Sequence, residues 1–287
     1  MLLTCPVQTP EFLSAHNLGV EVHITRDDIR PEWDPYIPFV HGVHLPYNKL
    51  NLAALDDEHR TRSVDAICSA IDTGCTYGVD RMVMHACGIE SDHGEPTGTY
   101  ERLIDSIRAL ADHAAIRGIN LCIENAALHH PHRRMFGIFA HEWFQIQADV
   151  NKPNVLLTLD TSHAATSAAM LHYRAEDRFA YMYEYLKRPE LIGRVHWSDS
   201  RLTYAEAYYN DLHLVPGEGD LPLDFHRQIK ALDAVKTLEQ RCEPERVAAG
   251  LAFIESLYHF GAAVHQPPRL LLHFKFAFVG DGFPVPL

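Results

Sequence analysis

Apolar positions along the chain fall into short runs separated by longer amphipathic stretches. Runs rich in Val, Ile, Leu and Met recur at LLTCPV (2–7), VEVHI (20–24), FVHGVHL (39–45), RMVMHAC (81–87), INLCIEN (119–125), VLLTLD (155–160), GRVHWSD (193–199) and AVKTLEQ (234–240). Each run predicts a strand. Between most of them apolar residues recur at helical spacing, as in 58–74, 100–118 and 224–234. Gly74 and Gly118 stand where the first two of these helices need C-caps. VLLTLD is continuously apolar, which suits a parallel strand covered on both faces. Eight strands alternating with helices, in a chain near the usual barrel length of about 250 residues, predict an α/β fold with a single (β/α)8 barrel. The barrel is expected over 1–265, with a C-terminal extension of unassigned role over 266–287. Pro31, Pro35 and Pro38 leave little room for a helix between the second and third strands, so an irregular or missing helix is expected there.

Such a barrel places active groups at the C-terminal ends of its strands. The third strand ends at His44, the fourth at His85 and the fifth at Glu124. The sixth ends at Asp160 with His163 beyond, the seventh at His196 and the eighth at Glu239. One polar ending is readily explained as a helix cap or a strand leaving its sheet. Six in succession point to a shared site. Carboxylates and imidazoles gathered in one mouth repel or go unsatisfied without cations, so a divalent metal is the expected resolution.

Composition narrows the function classes. With 287 residues, 47% hydrophobic and 22% charged, and no Gly/Ser-rich linker, low-complexity tract or convincing repeat, the chain reads as one globular domain. No basic region followed by a long apolar stretch opens the sequence, and no apolar run is long enough for a membrane span, so a cytoplasmic protein with no membrane partner is expected. Six scattered cysteines make no disulfide framework. A net charge of −13 argues against a general phosphate-backbone binder, although it leaves room for a local basic cleft or one neutralised by cations. Twenty histidines stand out, because neutral imidazole is a common metal ligand.

The segments HLPYNKLNLA (44–53), MVMHA (82–86), LCIEN (121–125), LTLDTSHA (157–164), VHWSD (195–199), NDLHLVPGEGD (210–220) and KTLEQ (236–240) together carry a resemblance. In this order they resemble the xylose isomerase-like TIM-barrel superfamily, which includes endonuclease IV and many sugar isomerases and epimerases. Carried over residue by residue, the endonuclease IV pattern implies one metal on His44, His85 and Glu124. A second would sit on Glu124, Asp160, His196 and Glu239, with Glu124 bridging, and a third on His163, Asp211 and His213. Isomerase and epimerase relatives typically keep only the second site, whose two glutamates also exchange protons with substrate. The resemblance therefore implies one to three divalent ions per chain, and the mixed donor set suits Zn, Mn or Fe(II).

The sequence departs from the DNA-repair pattern at two places. A Thr-Ala-Gly-Gln-Gly-like turn is replaced by NAALHHPHRR after Glu124, and a Lys and a Gly-Ser-Arg run by RLTYAEAYYN (201–210). The leading expectation is a metal-dependent isomerase or epimerase acting on a small polyhydroxylated substrate. Glu124 and Glu239 would transfer protons, and His163 would orient a substrate oxygen. The alternative is a trinuclear phosphodiesterase acting on abasic DNA, so nucleic acid stays as the second partner class; a barrel that binds without catalysis is the third reading.

Several residues have two readings. Arg26 and Trp33 could form a lid touching ligand or pack on the surface. The HHPHRR cluster, with Arg133, could grip phosphate or substrate, or be a solvated loop. Trp197 could wall the pocket or face the outer helices. GEGD (217–220) reads as a turn with Asp220 capping the following helix, while His23 and His41 read as out of phase with the ligand set. The alternating LHFKFAF (272–278) suggests a strand that covers the barrel bottom or meets another subunit in a homo-oligomer.

Overall fold

The structure, a computed structural model, describes every residue except 5–7, 25–30, 129–131, 172–173, 203–210, 241, 258–277, 280–282 and 285–287; side chains are also undescribed at 31–33, 278–279 and 283–284. In chain order the elements begin with β1 (Leu2–Thr4), α1 (Pro10–Ala15), β2 (Gly19–His23), a 3₁₀ helix (Pro31–Phe39), β3 (Val40–His44), α2 (Asp57–Cys75) and β4 (Arg81–His85). They continue with β5 (Ile89–Asp92), β6 (Glu95–Pro96), α3 (Tyr100–Ala115), β7 (Asn120–Glu124), β8 (Arg133–Met135), α4 (Ala140–Val150), β9 (Val155–Asp160), α5 (Thr161–Leu171) and α6 (Ala175–Glu184). A short 3₁₀ turn (Pro189–Leu191) leads to β10 (Ile192–His196), α7 (Leu223–Ala231), β11 (Val235–Leu238), α8 (Pro244–Ser256) and the two-residue strands β12 (Phe278–Val279) and β13 (Phe283–Pro284).

All eight apolar runs become barrel strands. They close in the order β1-β11-β10-β9-β7-β4-β3-β2, every neighbouring pair parallel. The chain is a single (β/α)8 barrel. In β9, Val155, Leu157, Thr158, Leu159 and Asp160 are all buried, because alternate side chains enter the barrel interior and the helical shell. The barrel register aligns strand ends in pairs: His23 faces His44, His85 faces Glu124, and Asp160 faces His196.

Local chemistry explains the helix ends. Asp56 accepts the Glu58 and His59 N–H groups to start α2, and the Thr99 hydroxyl accepts the Arg102 N–H to start α3. Gly118 does supply a left-handed turn after α3, at φ +72°, and the following Ile119 N–H returns to the Ala114 carbonyl. Gly74 departs from expectation. It lies inside α2, where a Cβ would come 2.7 Å from Met82 Cε on β4, so its role is close packing; the left-handed residue after that helix is Gly78. Residues 31–39 form a 3₁₀ helix with Pro35 and Pro38 inside it, a conformation that tolerates the fixed φ of proline over a short run.

The loops after β4 and β7 carry β5, β6 and β8, which pair into a three-stranded antiparallel sheet. Beyond 266, only the antiparallel pair β12 and β13 is described, so most of the LHFKFAF segment lies outside the described residues. Among the described residues, no helix is long and apolar enough to cross a membrane.

Candidate metal centre

The barrel mouth gathers its polar groups from the strand ends, from the first turn of α5 and from the segment before Leu214. His44, His85 and His196 all turn toward Glu124. His44 Nε2 lies 3.3 Å and His85 Nε2 3.0 Å from Glu124 Oε2, while His196 Nδ1 lies 2.7 Å from Glu124 Oε1. The same His196 nitrogen is 3.1 Å from Glu239 Oε2 and 3.7 Å from Asp160 Oδ2. Glu124, Asp160, His196 and Glu239 thus offer four donor atoms within 4.8 Å of one another. Asp160, His163 and His213 form another such group, and His44, Glu124 and His196 a third. Asp211 completes the gathering, 3.6 Å from His163 Nε2 and 3.1 Å from His213 Nε2.

Backbone carbonyls orient two of the rings. His44 Nδ1 donates to the Leu45 carbonyl at 2.8 Å and His163 Nδ1 to the Asn125 carbonyl at 2.9 Å, so each presents Nε2 to the mouth. Asp160 Oδ1 accepts the His163 N–H at 2.7 Å at the start of α5, and its own N–H is taken by the Asn125 side chain. Its other oxygen, Oδ2, is buried and has no hydrogen-bond partner. A buried carboxylate oxygen without a donor, facing an imidazole and two further carboxylates, is what a cation ligand requires, and the mixed set of imidazoles and carboxylates fits a divalent ion.

The electrostatics agree. Burial acts to raise the Glu124 pKa, yet His196, His85 and His44 outweigh it and hold Glu124 well below the usual carboxylate range. Glu239 and Asp211 are also lowered against burial, the first by His196 and His213, the second by His163 and His213. Burial would lower His196, but Glu124, Glu239 and Glu21 raise it well above the ordinary imidazole value. His213 is raised to about 9, since Asp211, Asp160 and Glu239 outweigh its burial. His85 moves the other way, because burial prevails over Glu124. Protonated imidazoles therefore balance the carboxylates, an electrostatic role that a divalent cation also fills.

The mouth thus brings together His44, His85, Glu124, Asp160, His163, His196, Asp211, His213 and Glu239. Trp197 is not among them. It follows the inward-facing His196 and so points outward, fully buried, with its indole N–H donating to His226 on α7 at 3.0 Å. Arg133 is engaged with Asp92 through two guanidinium nitrogens, at 2.7 and 3.2 Å, joining β8 to β5. Arg26 and the Trp33 side chain lie outside the described residues.

Other expectations need correction. His23 is in phase with the ligand set: β2 ends on it, its ring stacks on His44 at 4.4 Å, and Nε2 lies 3.5 Å from Glu239. Burial and His44 lower its pKa to about 3, so the ring is neutral. His41, by contrast, is exposed. Asp220 does not cap α7, whose preceding residue is Pro222; it pairs with Arg201 and accepts the Leu202 N–H. The carboxylate that organises GEGD is Asp199, which accepts the Gly217 and Leu221 N–H groups and meets His226 Nε2 at 3.2 Å. Gly219 is required there because a Cβ would fall 2.1 Å from Asp199 Oδ1.

Two charged groups were also missed inside the barrel, Glu21 and Arg194, each about 1% exposed and paired with one another. The signal was present: each stands two residues before a strand-end histidine, on the inward-facing parity.

Comparison with known proteins bears on the fold. Among solved structures, a D-tagatose 3-epimerase-like protein superposes with a TM-score of 0.66 at 18% identity, covering 89% of this chain and 97% of the other. Endonuclease IV from Thermus thermophilus gives 0.61 at 18% identity, with coverage of 89% and 97%. The IOLI protein with a zinc atom gives 0.60 at 18% identity, with coverage of 89% and 94%. These likenesses are to the fold. No curated protein sequence matches the chain. A family model described as xylose isomerase-like TIM barrel matches residues 31–257, from the first 3₁₀ helix past the end of α8, and so takes in every mouth residue named above except His23. The closed parallel barrel and that match over most of the sequence lead to one conclusion: the chain belongs to the xylose isomerase-like TIM barrel family.

Proposed function

We propose that the protein is a divalent-metal-dependent isomerase or epimerase acting on a small, sugar-like polyhydroxylated substrate. The observation that carries this reading is the tetrad Glu124, Asp160, His196 and Glu239, three donors that end strands and one just past β11, gathered around one point. Those residues would hold the ion. When bound, it would polarise adjacent substrate oxygens and make the neighbouring C–H proton easier to remove.

The chain's own groups then supply the proton chemistry. Glu124 and Glu239 both reach His196 Nδ1, from β7 and from just past β11, so they flank the same point from different sides of the barrel. Glu239 is the more accessible, at 15% side-chain exposure against 1%, which suits it to take the proton first while Glu124 stays with the ion. Its carboxyl is held ionised, as a general base must be. His163, with Nδ1 engaged by the Asn125 carbonyl, presents Nε2 to orient a substrate oxygen.

A second reading is favoured by a specific observation. His44 and His85 converge on one oxygen of Glu124, and His163, His213 and Asp211 form a further contact set, which is the donor complement for three ions and phosphodiester hydrolysis resembling endonuclease IV. Metal stoichiometry and substrate assays separate the two. One ion per chain, with Glu239→Gln abolishing C–H proton exchange on sugar substrates, supports the isomerase. Three ions per chain, with cleavage of abasic DNA that stops on adding EDTA or in Glu124→Ala, overturns it in favour of the hydrolase.

A further inference from the structure

The His196 ring has a carboxylate on each side: Glu124 Oε1 at 2.7 Å from Nδ1 and Glu21 Oε1 at 2.8 Å from Nε2. Carboxylates ionised at neutral pH only accept hydrogen bonds, so the neutral imidazole that binds a metal can donate to one of them and must offer its lone pair on the other side. The surroundings differ sharply between the two sides. Around Nδ1 lie the Asp160 oxygen without a partner and the partly accessible Glu239. Around Nε2 the structure is closed. Glu21 Oε2 takes an Arg194 Nη1 hydrogen bond and one from the Thr237 hydroxyl at 3.3 Å, and the other end of the Arg194 fork donates to the His41 carbonyl at 2.8 Å. Gly42 seals this layer, since a Cβ there would lie 2.5 Å from Arg194 Nη1 and 2.9 Å from Glu21 Oε2. The strands supply the parts in register: Glu21, Gly42, Arg194 and Thr237 each stand two residues before His23, His44, His196 and Glu239.

We infer that Glu21, locked by Arg194, is a positioning residue that keeps the His196 proton on Nε2 and so turns Nδ1 to the metal tetrad. The inference rests on the metal-centre reading above and extends it to residues that touch neither metal nor substrate. His44 and His163 are oriented by backbone carbonyls, which no side-chain substitution removes. His196 depends on a side chain, and a carboxylate behind a ligating imidazole also raises its donor strength.

The test uses the full-length chain and zinc or cadmium alone as probe. In Glu21→Leu/Arg194→Met, both members of the buried pair are removed together, so no charge is stranded. This variant is expected to keep its circular dichroism and to bind zinc about 10–100-fold more weakly than the wild type in a chelator competition. A merely structural role would lower its melting temperature and leave zinc affinity unchanged, and that result overturns the proposal. Should the variant fail to fold, the wild type decides. Heteronuclear NMR of the cadmium-loaded, nitrogen-labelled chain is expected to show the metal coupled to Nδ1 of His196 with Nε2 protonated; coupling through Nε2 overturns the assignment. A wild-type chain that takes up neither ion refutes the metal centre itself and the positioning role with it, an outcome distinct from a bound ion on the wrong nitrogen.

Discussion

Two buried polar layers lie one above the other in this barrel, and they solve the same problem differently. The lower layer sets Glu21 against Arg194, one anion against one cation, with the Thr237 hydroxyl and the His41 carbonyl adding a hydrogen bond each, while Arg194 Nε is buried without a hydrogen-bond partner. Burial pushes Glu21 up, but His196 and Arg194 bring its pKa down to about 2. The upper layer sets Glu124, Asp160, Asp211 and Glu239 against the imidazoles of His44, His85, His163, His196 and His213. A buried carboxylate with its own guanidinium has a fixed, non-titrating counter-charge. A set of carboxylates facing titratable rings becomes complete only with protons or a cation. That difference separates a layer whose charges are matched in place from the layer proposed to do chemistry.

The upper layer is most sensitive at Glu239. Glu239→Gln should leave the circular dichroism unchanged and lower kcat by about a hundredfold or more, since it removes an acid–base group without creating a void. Full activity on the true substrate would sink the proton-transfer role. In the lower layer, Arg194→Met alone strands the Glu21 carboxylate and should cost about 3–5 kcal/mol in denaturant unfolding, whereas Glu21→Leu/Arg194→Met should recover much of that loss. Equal stability of the single and double variants would show that the pair is not the unit. Chelation should act on the upper layer only. Removing an ion present at a hundredfold excess over its Kd should lower stability by about 2.7 kcal/mol, read as a lower melting temperature that added zinc restores. A melting temperature indifferent to EDTA would place no ion in the mouth.

The smallest effect concerns Asp199, which holds the GEGD turn. Burial acts to raise its carboxyl, but His226 and the backbone N–H groups of Gly219 and Leu221 lower it below the ordinary value of 3.8. A folded pKa below the unfolded one contributes stability that is present above pH 3.8 and is lost as the pH falls through the folded value. Asp199→Asn should therefore destabilise the chain at neutral pH and flatten the fall in stability below pH 3.8. Parallel acid unfolding curves for the two proteins would contradict this.

Much of the site was legible because strand period and strand end are both sequence properties. The eight apolar runs mark the strands, and their polar endings mark six of the mouth residues. What went astray lay where periodicity loses force. His23 looked out of phase because its run extends to Ile24, whereas β2 stops one residue earlier and its register sets His23 beside His44. Asp220 looked like a cap because it precedes a helix, but in a loop the partner is chosen by chain path, and Asp199 from a different strand end took the turn's N–H groups. Arg133 sits in a loop whose extra strand pairs it with Asp92, forty-one positions away.

By itself the sequence determined the alternation of strands and helices, and hence that side chains of chosen parity at the strand ends meet in one mouth; covalent spacing and the pleat leave no other outcome. Only the tertiary structure decided which nitrogen of each histidine faces that mouth, which carboxylate oxygen lacks a donor, and that Glu21 and Arg194 pair beneath it. Those are properties of distance between residues as much as 216 positions apart, and a low-dielectric interior makes each of them matter.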